Sequence, residues 1–240
     1  EIMAILLGLS TGQVYAADGR GYPLPRFPID LPSPSLSDLS GSYIGYSSPI
    51  LADLDGDGRL EIVIGAEDGL YALNLEGEDH GRFPRKTAGS LADSLMAAGD
   101  VDGDGKIELV AGATDGRLYL WTSDGSDYPG FPIQTGGYVK NVAMGDIDGD
   151  GQQEILGGSR DNRVHAWNLD GTEVSGFPKV ALGDFDTTPA IGDLEGDGVL
   201  EMVAGSDDGR IYIWEISESF GDHRWPMIGQ NLRHSGAVPG

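Results

Sequence analysis

The chain has 240 residues, 39% of them hydrophobic, which is enough for a sizeable core. With 39 acidic against 15 basic side chains, its net charge of −24 argues against nucleic acid or an anionic membrane surface as partner and favours cations. It has no cysteine, so disulfides and thiolate metal sites are excluded, and no apolar run approaches the ~20 residues of a membrane-spanning helix.

The opening stretch "MAILLGLSTGQVYAA" has the apolar run and small residues of a secretory leader but lacks its basic flank. It reads better as a partial repeat, because "AILLGLSTGQVYAADG" parallels "EIVIGAEDGLYALNLEG" further on once one residue is inserted. This first copy lacks a leading strand and carries Ala4 where later copies have glutamate, as expected if something upstream was removed. "IDLPSPSLSDLSGS" follows, rich in Pro and Ser, and reads as a surface spacer loop.

Four acidic segments come next: "DLDGDGRLEIVIGAEDG" from Asp53, "DVDGDGKIELVAGATDG" from Asp100, "DIDGDGQQEILGGSRDN" from Asp146 and "DLEGDGVLEMVAGSDDG" from Asp193. They align position for position at a period of about 47 residues, the mark of an architectural unit. Before each lies a short apolar run ("SPILA", "SLMAAG", "NVAMG", "TPAIG"), and after each an alternating run ("LYALNLEG", "RLYLWTSDG", "RVHAWNLDG", "RIYIWEISE"). A Phe-Pro or Trp-Pro step then closes the unit at Phe83, Phe131, Phe177 and Trp225, with Phe27-Pro28 as a fifth copy near the start. Period-2 patterning with Asp-Gly turns predicts about four short strands per unit, and no helical periodicity competes.

The expected fold is therefore all-β, a single β-propeller domain over residues 1–240 built from four-stranded blades. The expected blades are 1–40 (incomplete), 41–90, 91–137, 138–183 and 184–232. Residues 233–240 would close the ring by supplying the first blade's missing strand, which removes an unpaired sheet edge. The alternative is a five-blade part of a seven-bladed propeller.

Each acidic loop has the form D-x-D-x-D-G-x-x-E, with Glu195 in place of the second aspartate in the last copy. Oxygen ligands at alternate positions of a tight loop converge on one point, and glycine lets the backbone curl around it. Sixteen of the 39 acidic residues sit in these loops, where they would repel one another without a cation. Calcium accepts 6–8 oxygens flexibly, whereas magnesium holds its octahedral waters. Zinc prefers His and Cys ligands, and His80, His165, His223 and His234 do not cluster in the sequence. An EF-hand needs glutamate at its twelfth position, where Ile64, Ala111, Gly157 and Ala204 stand. Metal-free Asp-Gly turns would explain one copy easily and four in register poorly.

On these loops, and on the "GAED", "GATD", "GGSR" and "GSDD" that follow them, the chain resembles the FG-GAP/VCBS repeat family, whose best-known members are the integrin α-subunit propellers. The resemblance implies calcium bound by Asp53, Asp55, Asp57, Glu61 and the Arg59 carbonyl, and by Asp100, Asp102, Asp104, Glu108 and the Lys106 carbonyl. It implies two more sites, at Asp146, Asp148, Asp150, Glu154 and the Gln152 carbonyl, and at Asp193, Glu195, Asp197, Glu201 and the Val199 carbonyl. About four structural calcium ions are thus expected. The Phe-Gly step before each loop and the Pro of Gly-Ala-Pro are missing, which points to a bacterial-type secreted or surface protein rather than an integrin. "DGRLYLW" is similar also to pyrroloquinoline-quinone-type propeller repeats, which do without acidic loops.

No nucleophile-base pair and no histidine-rich centre stands outside the repeat, so the chain is expected to be non-catalytic. It is expected to act as an extracellular binding, adhesion or self-assembly module for a protein, a glycan or its own copies, with no membrane insertion. The alternative is a lectin-like propeller, or the non-catalytic domain of a secreted polysaccharide-degrading enzyme. Tyr71, Tyr119 with Trp121, His165 with Trp167, and Tyr212 with Trp214 recur once per blade; they suit packing between blades, with sugar stacking as the competing role.

Overall fold

The computed structural model describes residues 5–8, 13–31 and 47–217, all strand, turn and loop. The spacer loop after Leu31, the Trp225-Pro226 step, the proposed closing strand, His223 and His234 lie outside these residues.

Among the described residues five antiparallel sheets follow one another along the chain, each made of consecutive strands. The first holds β1 (Ile5–Gly8), β2 (Gln13–Ala17) and β3 (Ile29–Asp30). Four-stranded sheets follow: β4 (Ile50–Ala52), β5 (Glu61–Ala66), β6 (Gly69–Leu73) and β7 (Arg85–Lys86), then β8 (Ala97–Gly99), β9 (Glu108–Gly112), β10 (Arg117–Trp121) and β11 (Ile133–Gln134). The next comprises β12 (Val139–Gly145), β13 (Glu154–Ser159), β14 (Arg163–Trp167) and β15 (Lys179–Val180). Within the described residues the last has three strands, β16 (Ala190–Gly192), β17 (Leu200–Gly205) and β18 (Ile211–Ser217). Each acidic loop thus joins the first and second strands of a sheet. The Phe-Pro bonds at 27–28, 83–84, 131–132 and 177–178 are cis and lead into the short fourth strand, or into β3.

Successive sheets stack face to face, so a middle strand is covered on both sides. Ile62, Ile64, Tyr71 and Leu73 pack on Val14, Ala16 and Phe27 of the first sheet. Val63, Leu70 and Ala72, pointing the other way from the same two strands, pack on Leu109, Ala111, Tyr119 and Trp121 of the third. This two-sided burial is why "EIVIGA" is almost wholly apolar and every residue of β5 is buried. The same arrangement joins the third sheet to the fourth through Val110, Leu118, Leu120, Ile155 and Trp167. It joins the fourth to the last through Leu156, Val164, Ala166, Met202 and Trp214.

One glycine makes the stacking possible. A Cβ on Gly112, at the end of β9, would meet the Val139 carbonyl oxygen at 1.9 Å, because the chain entering the next sheet crosses there. Gly65 and Gly158 occupy the matching positions beneath the Leu91 and Phe185 carbonyls, at 2.9 Å each. The first glycine of "GAED" and "GATD" and the second of "GGSR" are therefore crossing points between blades.

Candidate metal centres

The acidic loops are held by their own side chains. In each, the first aspartate accepts the backbone N–H groups of both loop glycines: Gly56 and Gly58 on Asp53, both at 2.8 Å, and Gly103 and Gly105 on Asp100, at 2.8 and 3.0 Å. Asp146 holds Gly149 and Gly151 at 2.7 and 3.1 Å, and Asp193 holds Gly196 and Gly198 at 2.6 and 3.0 Å. Gly56 and Gly58 have φ of 76° and 83°, which only glycine adopts freely, so the turn closes tightly on the aspartate. The glutamate beginning the second strand reaches back to the residue after the first aspartate. Glu61 Oε2 accepts from Leu54 N at 2.8 Å, Glu108 from Val101 at 3.1 Å, Glu154 from Ile147 at 2.7 Å and Glu201 from Leu194 at 2.8 Å.

Carboxylate oxygens converge in three places among the described residues: Asp53, Asp55 and Asp57; Asp100, Asp102 and Glu108; and Asp146, Asp148 and Glu154. The donor set is oxygen alone, and Glu108 and Glu154 are buried. Burial pushes both glutamates up to about 7 despite the single N–H bond each accepts, and the neighbouring aspartates push the same way. Burial raises Glu61 as well, against the Leu54 N–H and His80. A buried carboxylate among three others, with no ion pair of its own among the described residues, is the environment a hard cation relieves. The residues present therefore fit calcium, and the Arg59, Lys106 and Gln152 carbonyls belong to the same turns.

The remaining expected residues differ in placement. Asp104 and Asp150 stand just outside their groups, with Oδ1 accepting Lys106 N and Gln152 N, both at 2.8 Å, and Asp104 Oδ2 accepting Lys106 Nζ at 2.8 Å. Glu61 is not drawn into the first trio, which opens on a cleft lined also by Asn74 and His80. Three groups, not the expected four, form among the described residues. Around Asp193, Glu195, Asp197, Val199 and Glu201 no such convergence is found. The cause lies in Glu195: in the other loops the second aspartate accepts the N–H two residues on, but Asp197 N turns to Asp193 Oδ1 at 3.1 Å.

Three features escaped sequence reasoning. Tyr128 donates to Asp102 Oδ2 at 3.1 Å, and Gln153 donates to the Asp100 carbonyl at 3.0 Å, so the 100–108 loop has two partners from outside it. The hairpin-turn aspartates are more than turn formers: Asp68, Asp115 and Asp208 accept the hydroxyls of Tyr71, Tyr119 and Tyr212, and Asp161 Oδ2 lies 3.0 Å from His165 Nε2. An aspartate three or four residues before each strand aromatic was the available signal. Tyr71, Tyr119, Trp121, His165 and Trp167 are interior, with Trp121 1% and Trp167 5% exposed, and pack between sheets, whereas Tyr212 and Trp214 on the last sheet are only partly buried.

Stacked four-stranded antiparallel sheets with acidic loops between first and second strands define a β-propeller protein. Its fold is similar to that of BBS1N in complex with ARL6DN (TM-score 0.59, 14% identity, covering 90% of this chain and 62% of that one). It is similar also to Saccharomyces cerevisiae Sqt1 (TM-score 0.61, 13% identity, 86% and 53%). The chain thus spans less than two thirds of the length of these solved chains. No curated protein matches it. The FG-GAP-like repeat matches residues 53–111 and again 100–157, so these residues carry two overlapping copies of it.

Proposed function

We propose that this chain is a calcium-stabilised, non-catalytic propeller that works outside the cell as a binding module for a protein partner. The observation that carries the reading is the oxygen-only convergence of Asp100, Asp102 and Glu108, repeated at Asp146, Asp148 and Glu154. When bound, calcium supplies positive charge to these clusters; the chain's part is to fix the carboxylates with backbone N–H bonds before an ion arrives. An ion that binds only the folded chain stabilises it, by ~1.4 kcal/mol per loop at ten times Kd. Extracellular modules of this type have Kd of about 10⁻⁴–10⁻³ M, so they fill in extracellular calcium and empty in cytosol.

Two observations favour binding over catalysis. The histidine flanked by two carboxylates, His165 between Asp161 and Glu173, is 7% exposed and stacked on Trp167 at 5.1 Å, enclosed rather than open to a substrate. A protein partner is favoured because the similar BBS1N structure is a complex with ARL6DN. Among the described residues no helix is long and apolar enough to cross a membrane.

The test is calorimetric titration of the chelator-stripped protein with calcium, followed by pull-down from a culture supernatant with and without calcium. Saturable binding in the sub-millimolar to millimolar range is expected. Absence of heat and of any change in melting temperature at 5 mM calcium would refute the metal reading.

A further inference from the structure

The loops at 100–108 and 146–154 lie in adjacent sheets and are joined to each other. Gln153, between the Gln152 carbonyl and Glu154 of one loop, donates its side-chain amide to the Asp100 carbonyl of the other at 3.0 Å. Its backbone N–H points to the Val101 carbonyl at 3.5 Å, and the Val101 N–H, in the same peptide group as the Asp100 carbonyl, donates to Glu108 Oε2 at 3.1 Å. The amide is seated against Gly99, where an added Cβ would lie 4.0 Å from Gln153 Oε1. The matching positions in the other acidic loops hold Leu60, Ile107 and Leu200, none with a side-chain hydrogen-bond donor.

From this bridge we infer that Gln153 is a positioning residue that couples the two loops, so that an ion held at 146–154 strengthens binding of a second ion at 100–108. The inference rests on the reading of the loops as metal sites. Holding Gln152 and Glu154 on an ion fixes the residue between them, and with it the amide on Asp100. Part of the ordering that the 100–108 loop needs is then already complete. The coupling is reciprocal, and one hydrogen bond of ordinary strength sets it at about fivefold in affinity.

The electrostatic alternative has the opposite sign. An empty 146–154 loop leaves its carboxylates unneutralised, and their field alone would tighten cation binding next door. Weakened binding at 100–108 after the neighbour is emptied therefore marks the hydrogen-bonded route.

Terbium is the probe, excited through Tyr128, whose hydroxyl lies 3.1 Å from Asp102, with loss of the signal in Asp102→Ala assigning it to the 100–108 loop. At 0.15 M salt, Asp148→Ala should raise the terbium Kd of that loop about fivefold. Gln153→Met, which keeps the volume, and Gln153→Leu, the residue found at two sister loops, should each raise it by the same factor. Asp148→Ala should have no further effect in either background. The coupling is overturned if Asp148→Ala leaves the Kd unchanged or lowers it, or if its effect survives intact in Gln153→Met. Terbium binding to neither loop of the unmodified chain would instead overturn the metal reading itself, and the coupling with it.

Discussion

The fourth and last sheets carry nearly the same repeat and live in different surroundings. Val164 and Ala166 on β14 are fully buried against the last sheet, while Ile211 and Ile213, at the same places on β18, are 75% and 58% exposed. After the first aspartate of the loop, Ile147 is 1% exposed and Leu194 57%. Glu154 is driven up to about 7 beside two converging aspartates, whereas the carboxylates of the 193–201 loop do not converge. A blade's sequence encodes its strands and turns; whether its faces are buried depends on what stands beside it.

Withdrawing calcium should produce the largest effect. If the inner loops carry the ions, excess chelator removes about 4 kcal/mol, on the order of 10 °C in melting temperature, and Asp197→Ala in the last loop leaves that shift almost intact. An equal loss from Asp197→Ala would erase the contrast between inner and last loops.

Next comes Gly112→Ala, which drives a methyl group into the Val139 carbonyl and should cost about 3 kcal/mol in denaturant unfolding. Gly205 in the last sheet faces only the Thr187 side chain, nearest atom 3.3 Å, so Gly205→Ala should cost under about 1 kcal/mol. Asp148→Ala should lower the calcium-dependent part of stability by about 2 kcal/mol, most of it from its own loop and the rest from the weakened 100–108 loop, and remove one site from a calorimetric titration. Smallest of all, Ile211→Ser should stay within about 0.5 kcal/mol, while Val164→Ser, at the buried equivalent, costs about 2 kcal/mol.

Strand positions and the acidic turns were readable because both are local: alternation, Asp-Gly pairs and the D-x-D-x-D-G-x-x-E spacing act within a few residues. The Phe-Pro steps were readable as punctuation, and the packing role of the recurring aromatics followed from one appearance per blade. What stayed hidden involves pairs far apart in the chain, such as Gln153 with Asp100 and Tyr128 with Asp102. The hairpin aspartates were seen only as turn residues, since nothing in a turn pattern says which hydroxyl will come to rest on it.

By itself, then, the sequence determined a chain of β-units whose four acidic loops repeat in register, because period and turn chemistry are carried by neighbouring residues. Tertiary structure alone decided which glycines are crossed by a neighbouring backbone and, among the described residues, which sheet face is exposed. Those outcomes depend on stacking one blade against the next, where burial raises a glutamate and a carbonyl takes the space of a methyl group.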